Sequence, residues 1–329
     1  MTRPQIARIV RLAVTAAIVV LLVIFARTVN WSRAWQAMVT ASRPLLLAAI
    51  VVNLLSLVAR GVRWWILLRE VGSPSLALAL KATFAGAGLN NVLVANGGDA
   101  ARVVFVTRAS GVPAARVIAT AALDRLFDPI GFLALLAIGA LAFDLPPELA
   151  KLRWPAVIGV AVIGILLVWL ARSAHTVSPG HVPERREKPR DWRGRARAWL
   201  AEFGGSMREL ASGPRIVWIL LLTIAAWVLQ LATFALAASA AHVPLSLSGN
   251  LATLLAVNVS LIIRATPGNV GFFQFAYALA AGTFGVRKAD AIAVSVLIQA
   301  LQIIPVTLMG VALAPEFIFK RKPKAPDAA

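Results

Sequence analysis

The chain has 329 residues, of which 60% are apolar and 14% charged, and its mean hydropathy is +0.81. A soluble domain has roughly 45–50% apolar residues, so the composition excludes a soluble globular protein and indicates an integral membrane protein. The formal net charge is +19, but the basic residues cluster between apolar spans, which is typical of cytoplasmic loops beside anionic lipids and argues against nucleic-acid binding.

Six apolar stretches are long enough to cross a bilayer, whose core of about 30 Å needs roughly 20 helical residues. In chain order they are residues 7–27, 44–68, 113–142, 153–171, 214–240 and 288–314. The first has no convincing cleavage site of small residues, so we interpret it as a retained helix and not as a signal peptide.

Two segments are expected to lie in the membrane interface, because each places aromatic residues on one helical face. The first is residues 31–42, with Trp31, Trp35, Met38 and Val39 on that face. The second is residues 191–210. The proline-rich and charged piece before it, residues 178–190, is interpreted as a solvated linker.

Two further apolar regions, residues 76–108 and 246–283, are interrupted near their centres. The interrupting residues are Asn90, Asn91, Asn96, Gly97 and Gly98 in the first region, and Thr266, Pro267, Gly268, Asn269 and Gly271 in the second. A broken helix leaves backbone groups unpaired, and these must be buried in protein or line an aqueous cavity. We therefore predict two re-entrant helical hairpins, each entering and leaving the membrane by one face.

Loop charge predicts the orientation of the chain. The arginine-rich stretch 172–213 and the lysine-rich tail 315–329 are expected inside, and the loop 143–152 outside. This predicts a multi-pass protein of the cell membrane with both termini in the cytoplasm. Arg27, Arg33 and Arg43 do not fit this scheme, because they fall in a loop that it places outside.

The two halves of the sequence align when one is shifted by 174 residues. Gly97 then matches Gly271, and Gly111-Val112 matches Gly285-Val286. The predicted order of crossing, broken hairpin, Gly-Val turn and crossing is the same in both halves, but loop charge gives the halves opposite orientations. The prediction is an all-α polytopic membrane protein with inverted repeats, about six crossing helices and two re-entrant hairpins, an architecture typical of secondary transporters. A duplicated scaffold without a transport role is the alternative.

This interpretation divides the chain into five regions. They are an N-terminal helix and interfacial segment (1–43), the first repeat (44–142), a connecting helix and basic loop (143–213), the second repeat (214–314) and the tail (315–329).

Ionisable and polar side chains at membrane depth are the strongest candidates for a substrate site, because their insertion is costly. The candidates are Asn90, Asn91, Gly97, Gly98, Asp99, Arg102, Asp124, Arg125 and Asp128 in the first half, and Arg264, Pro267, Gly268, Gly271, Gln274, Gln299 and Gln302 in the second. Helical spacing puts Asp124 and Asp128 on one face, with Arg125 beside Asp128. We expect this run to open a helix, and Arg60 and Arg63 to lie nearer an interface. An internal ion pair that only holds helices together is the competing interpretation.

The charges at membrane depth favour an anionic or zwitterionic headgroup. Gly97-Gly98 is expected to start a half-helix, whose free backbone N–H groups attract anions. The basic residues Lys81, Arg102, Arg125 and Arg264 outnumber the acidic residues Asp99, Asp124 and Asp128.

Several short motifs in this order resemble the flippase-like membrane domain of lysylphosphatidylglycerol synthases and its stand-alone relatives. The motifs are Arg63-Trp64 followed by Leu67-Leu68, Gly88-Leu89-Asn90-Asn91 leading to Gly98-Asp99 and Arg102, Asp124-Arg125, and Thr266-Pro267-Gly268-Asn269-Val270-Gly271. The resemblance spans about residues 44–314. The chain departs from the family pattern at Arg264, where many relatives have proline, at Asn269, where glycine is usual, and at Gln274, where an acidic residue is usual. The resemblance implies movement of a phospholipid or related polar lipid between leaflets.

The sequence therefore predicts a lipid flippase with a midplane cavity and not an enzyme, with a polar lipid as its substrate and a separate lipid-synthesising enzyme as a candidate partner. No cysteine is present and the three histidines are scattered, so we expect no metal or other cofactor. Two alternatives stay open. One is a membrane-embedded lipid or prenyl transferase, which would use paired aspartates to hold Mg²⁺ and a diphosphate. The other is an accessory scaffold for a lipid-modifying enzyme.

Overall fold

The structure is a computed structural model, and it describes residues 31–73, 75–92, 97–143, 214–261 and 269–319, with 151, 154–155, 157–159 and 161–162. Several predicted features lie outside the described residues: the crossing 7–27, most of the crossing 153–171, the basic loop 172–213 with its interfacial segment, the break at 262–268 and the tail after 319. The described part of 154–162 is helical.

The described elements are all helices. They are α1 (Trp31–Val39), α2 (Arg43–Glu70), α3 (Leu76–Val92), α4 (Gly97–Ser110), α5 (Ala114–Ala142), α6 (Pro214–Ala240), α7 (Leu247–Ser260), α8 (Phe272–Gly282) and α9 (Lys288–Phe319). Four of them, α2, α5, α6 and α9, are long and apolar enough to cross a membrane, and each coincides with a predicted crossing. The chain is thus an all-α polytopic membrane protein, as its sequence predicts.

The two halves of the structure have the same order of elements: a long helix, two shorter helices and a second long helix. The helix starts agree with the offset of 174, since α5 begins at residue 114 and α9 at residue 288. Gly111 and Gly285, which the offset relates, precede these helices with positive φ angles of 74° and 76°. Both turns therefore use the left-handed backbone conformation that glycine adopts without strain.

The shorter helices form two packed pairs, α3 with α4 and α7 with α8. In the first pair the chains approach so closely that a Cβ on Gly98 would lie 1.9 Å from the carbonyl oxygen of Gly86. Only glycine fits at this position. The start of α4 at Gly97, which the sequence predicts, is therefore held directly against α3.

The two halves meet along their helices. α2 packs lengthwise on α6, and α3 packs on α9. The second contact is tightest at Gly88 and Gly310, where a Cβ on Gly88 would be 2.8 Å from the Cα of Gly310. Small residues allow membrane helices to approach closely and to gain packing energy. Ala87 and Val306, which lie beside this crossing on α3 and α9, line a cavity between the helices.

The α1 helix has the exposed apolar face that the sequence predicts for an interfacial segment, with one exception. Trp31, Trp35 and Val39 are 55%, 65% and 65% exposed. Met38 instead packs against the core formed mainly by the second half, beside the fully buried Ala34. An exposed face of tryptophan and valine suits the boundary between headgroups and acyl chains.

Candidate functional site

A cavity of about 670 Å³ lies among α2, α3, α4, α5, α6, α7 and α9, and many of the side chains that line it are polar. The predicted site residues that line it are Asn90, Asn91, Asp99, Arg102, Asp124, Arg125, Asp128 and Gln302. The structure thus brings most of the first-half candidates together with one candidate from the second half.

Arg63 of α2 is the centre of the charged network in this cavity. Its Nε donates to Asp124 Oδ1 at 2.8 Å, its Nη2 donates to Asp128 Oδ1 at 2.9 Å, and its Nη1 donates to Thr223 Oγ1 at 3.1 Å. Arg63 is only 1% exposed, so it is buried among the helices, and its expected place nearer a membrane interface stays a prediction. A buried guanidinium with this many acceptors is held in one orientation.

Arg102 of α4 completes the buried part of the network. Both of its Nη atoms donate to Asp124 Oδ2 at 3.2 Å. Its guanidinium lies over the ring of Trp64, with 4.5 Å between the Cζ atom and the ring centroid. The indole in turn donates to Thr120 Oγ1 at 3.2 Å. Asp124 of α5 therefore joins arginines from α2 and α4, which ties the first hairpin to the long helices on either side of it.

The remaining charges of the network are partly exposed to the cavity. Arg60 donates to Gln230 Oε1 at 3.1 Å and lies 3.4 Å from Asp128 Oδ1. Arg125 forms an ion pair with Asp99, and its Nη1 lies 3.4 Å from Asp128 Oδ2. The Arg125 side chain is 47% exposed. These side chains are more exposed than those of Arg63 and Arg102, which also line the cavity.

The prediction that the run from Asp124 to Asp128 opens a helix is wrong, because α5 begins ten residues earlier, at Ala114. The run lies in the interior of a long membrane helix. Its predicted helical spacing is nevertheless confirmed, since both carboxylates reach Arg63 from one face of α5.

The asparagines of the first hairpin connect the cavity wall to the backbone. Asn90 Oδ1 accepts a hydrogen bond of 2.9 Å from the N–H of Gly98, which satisfies one of the free donors at the start of α4. Asn91 Nδ2 donates to Thr307 Oγ1 of α9 at 3.1 Å. Gly97 and Gly98 themselves do not line the cavity.

The second-half candidates form a separate hydrogen-bonded chain. The N–H of Gly271 donates to Gln274 Oε1 at 2.7 Å, and Gln274 Nε2 donates to Gln299 Oε1 at 2.6 Å. These three residues do not line the cavity. Arg264, Pro267 and Gly268 lie outside the described residues.

The offset of 174 places apolar residues where the first half has its buried charges. Arg63, Arg102 and Asp124 correspond to Ala237, Ala276 and Ile298, which are all buried. These residues belong to the same apolar core as Phe234 and Phe273, whose ring centroids are 6.3 Å apart. The two halves therefore have the same order of helices but different side chains at these equivalent positions. Within the described residues, the arginines and aspartates of the charged network all belong to the first half.

Sequence reasoning missed a polar stripe on α2. Its members are Asn53, Ser56, Arg60 and Arg63, which are spaced by three or four residues and all line the cavity. Such spacing puts them on one helical face, so a search for polar periodicity within the apolar stretch 44–68 would have found them. Thr83, Trp227, Gln230 and Asn258 also line the cavity, but each is isolated in its helix and gives no such signal.

One family model matches the chain: the transmembrane region of lysylphosphatidylglycerol synthase, over residues 8–310. The match includes every helix that forms the cavity, apart from the last turns of α9. Among curated proteins, none matches the chain significantly.

Proposed function

The chain belongs to the lysylphosphatidylglycerol synthase transmembrane region family, and on this basis we propose that it moves a polar lipid between the leaflets of the cell membrane. The headgroup enters the charged cavity while the acyl chains remain in the bilayer. Membership of this family supports a function in membrane lipid metabolism, and the cavity supplies a polar environment among helices that are long and apolar enough to cross a membrane.

The observation that carries the proposal is the charged cavity itself. Its walls hold four arginines and three aspartates between helices that are long and apolar enough to cross a membrane. Each charge at membrane depth costs at least a few kcal/mol on insertion scales, and such residues therefore mark pathways for polar substrates. The buried ion pairs also join helices, but the partly exposed Arg60, Asp99 and Arg125 go beyond what that role requires.

The proposed transport follows from the repeated order of helices. In this proposal the halves have opposite orientations, the two hairpins are re-entrant, and the cavity opens alternately to either leaflet as the halves move against each other. The close crossing of α3 and α9 at Gly88 and Gly310 is the contact about which such movement would occur. Both termini lie in the cytoplasm in this arrangement.

Purified protein in liposomes tests the proposal directly. Fluorescent phospholipids should cross between leaflets faster than in protein-free vesicles, and Arg60→Gln should slow this movement. Arg33→Gln is the matched control, because Arg33 also donates to an aspartate, Asp290 Oδ1 at 3.0 Å, but does not line this cavity. No acceleration with any headgroup would refute the proposal.

We further propose that the protein acts as a transporter and catalyses no reaction. Metal-dependent turnover of a lipid substrate that Asp124→Ala abolishes would contradict this and would establish a membrane-embedded transferase. Stable co-purification with a lipid-modifying enzyme, together with full tolerance of Arg60→Gln, would instead support an accessory scaffold.

A further inference from the structure

We propose that a second cavity, formed by α1, the turn after α6 and the start of α9, binds a phosphate group, carried either by a soluble molecule or by a lipid headgroup. This second cavity has a volume of about 820 Å³ and shares no lining residue with the charged cavity described above. Binding here takes no part in the proposed movement of lipid, so the two proposals fail or stand independently.

α1 supplies one wall of the second cavity through its polar face. Ser32, Arg33 and Gln36 line the cavity, whereas Trp31 and Trp35 belong to the exposed apolar face of the same helix. Helical spacing places these two sets on different faces of α1. The other walls are the turns at residues 241–244 and 284–287 and the first turn of α9.

The second cavity presents positive charge. Among the described residues, the charged side chains that line it are Arg33, Arg287 and Asp290, which leaves an excess of one positive charge. The Asp290 side chain is 16% exposed, and those of Arg33 and Arg287 are 41% and 65% exposed. Because the carboxylate is less accessible than either guanidinium, an anion that enters the cavity meets the arginines first.

Asp290 holds the two arginines beside each other. Its Oδ1 accepts a hydrogen bond of 3.0 Å from Arg33 Nε, and its Oδ2 accepts one of 2.8 Å from Arg287 Nε. The carboxylate therefore contacts each guanidinium at Nε and not at the Nη groups. Guanidinium groups bind phosphate through pairs of parallel N–H bonds. A ligand carboxylate has two oxygens, which one guanidinium can occupy, whereas a phosphate has further oxygens for the second arginine.

Uncharged donors surround this arginine pair. Ser32, Gln36 and His242 line the cavity, and each of these side chains can donate a hydrogen bond. Arg287 directly precedes α9, a helix of 32 residues. The first backbone N–H groups of a helix have no partner within it, and the helix dipole favours an anion there. Side-chain donors and the helix start thus add to the charge of the arginines.

A phosphate site also accounts for the position of Arg33. This arginine does not fit the orientation that loop charge predicts, because the scheme places its loop outside. It pairs with Asp290, which is 257 residues away in sequence. A specific ligand contact at this pair gives a reason for an arginine in a loop where positive charge is otherwise unexpected.

Chemical modification of arginine tests the site in the full-length protein. The protein, purified in dodecyl maltoside, is treated with phenylglyoxal, and peptide mass spectrometry gives the modification rate of each arginine. At ten times its Kd, glycerol 3-phosphate should slow the modification of Arg33 and Arg287 about tenfold by mass action, whereas glycerol should have no effect. Arg215 is the matched control, because it is 49% exposed and pairs with Glu70 at 2.7 Å but does not line the second cavity. Its rate should stay unchanged.

Phosphatidic acid and diacylglycerol, which differ only in the phosphate group, distinguish the two sources of the ligand. Protection by both glycerol 3-phosphate and phosphatidic acid would show that the phosphate group alone is recognised. Protection by phosphatidic acid only, with diacylglycerol inactive, would assign the site to a lipid headgroup.

Substitution of Arg287 tests the need for two arginines. Arg287→Gln should raise the Kd of the protecting phosphate compound, measured from the protection of Arg33, about tenfold, because hydrogen bonds to a charged group are lost. Arg287→Lys should recover only part of the affinity, since lysine lacks the planar fork of arginine. Arg287 is largely exposed, so both variants should fold, and Arg215→Gln should leave the Kd unchanged.

Three results would overturn the proposal. They are the absence of protection by either phosphate compound, equal protection by diacylglycerol or by the carboxylate glycerate, and a Kd that Arg287→Gln leaves unchanged.

Discussion

Replacing Asp124 by asparagine is expected to destabilise the protein by about 3 kcal/mol or more. Asp124 is 3% exposed, and its carboxylate accepts hydrogen bonds from Arg63 Nε and from both Nη atoms of Arg102. Removing one partner of a buried ion pair typically costs about 3–5 kcal/mol, because the remaining charge is left uncompensated. Arg63 keeps Asp128 as a partner, so Arg102 carries most of this cost and the lower end of the range is expected.

The chain contains a matched control for this substitution. Asp290 also binds two arginines, Arg33 at 3.0 Å and Arg287 at 2.8 Å, but those side chains are 41% and 65% exposed. Exposed ion pairs contribute about 0–1 kcal/mol. Asp290→Asn should therefore cost less than about 1 kcal/mol, although it breaks the same number of ion pairs.

The assay is reversible unfolding of the purified protein in mixed micelles by increasing amounts of denaturing detergent, followed by circular dichroism. The double variant Arg102→Gln/Asp124→Asn should recover part of the loss, because it removes the unpaired charge together with its partner. Equal losses for Asp124→Asn and Asp290→Asn would refute the reasoning, as would a double variant less stable than Asp124→Asn alone.

Three further predictions concern the contacts that build the cavity, and the same unfolding assay checks each of them. Gly98→Ala should destabilise the first hairpin by about 1–3 kcal/mol, because its Cβ would overlap backbone atoms of α3. Gly282→Ala is the control and should leave stability unchanged, because its Cβ would meet no atom within 4 Å. Equal effects of the two substitutions would contradict the prediction. Gly88→Val should separate α3 from α9 and reduce both stability and lipid movement, whereas retention of both would show that this crossing is not needed. Ser246→Ala should cost about 1 kcal/mol through loss of the helix cap to the Gly249 N–H, and Ser246→Asp should retain most of the stability.

The helices were predictable because hydropathy and backbone-breaking residues are local signals. The start of α4 at Gly97, the turns at Gly111 and Gly285, and the ends of the four long helices all follow from residues within a few positions of the element. The charged residues of the first hairpin and of α5 were also predictable as candidates, because a charge within an apolar stretch is conspicuous in the sequence.

The burial of Arg63 was not predictable in the same way. It lies near the end of an apolar stretch, where arginine side chains commonly reach towards the membrane surface. Its burial depends on Asp124, Asp128 and Thr223, which are between 61 and 160 residues away in sequence. Which side chain pairs with which charge is decided by helix packing, and hydropathy carries no information about packing.

The difference between the two halves in charged residues was only partly predictable from the sequence. The offset relates Asp128 to Gln302 and Arg125 to Gln299, so both halves have polar residues at the same two turns although only the first half carries charge there. The structure separates them, because Gln302 lines the cavity whereas Gln299 binds Gln274. Equivalent positions in a repeat lie in different environments once the neighbouring side chains have diverged.

The central claim, that a lipid headgroup passes through this cavity, is tested most directly by filling it. The natural sequence has no cysteine, so Ala87→Cys, in the cavity wall, and Thr283→Cys, on an exposed turn, give proteins with one reactive thiol each. After both are labelled with the same bulky maleimide in proteoliposomes, lipid movement should fall to the rate of protein-free vesicles in the Ala87→Cys protein and stay unchanged in the Thr283→Cys protein. Undiminished movement through a fully labelled Ala87→Cys protein would contradict the account.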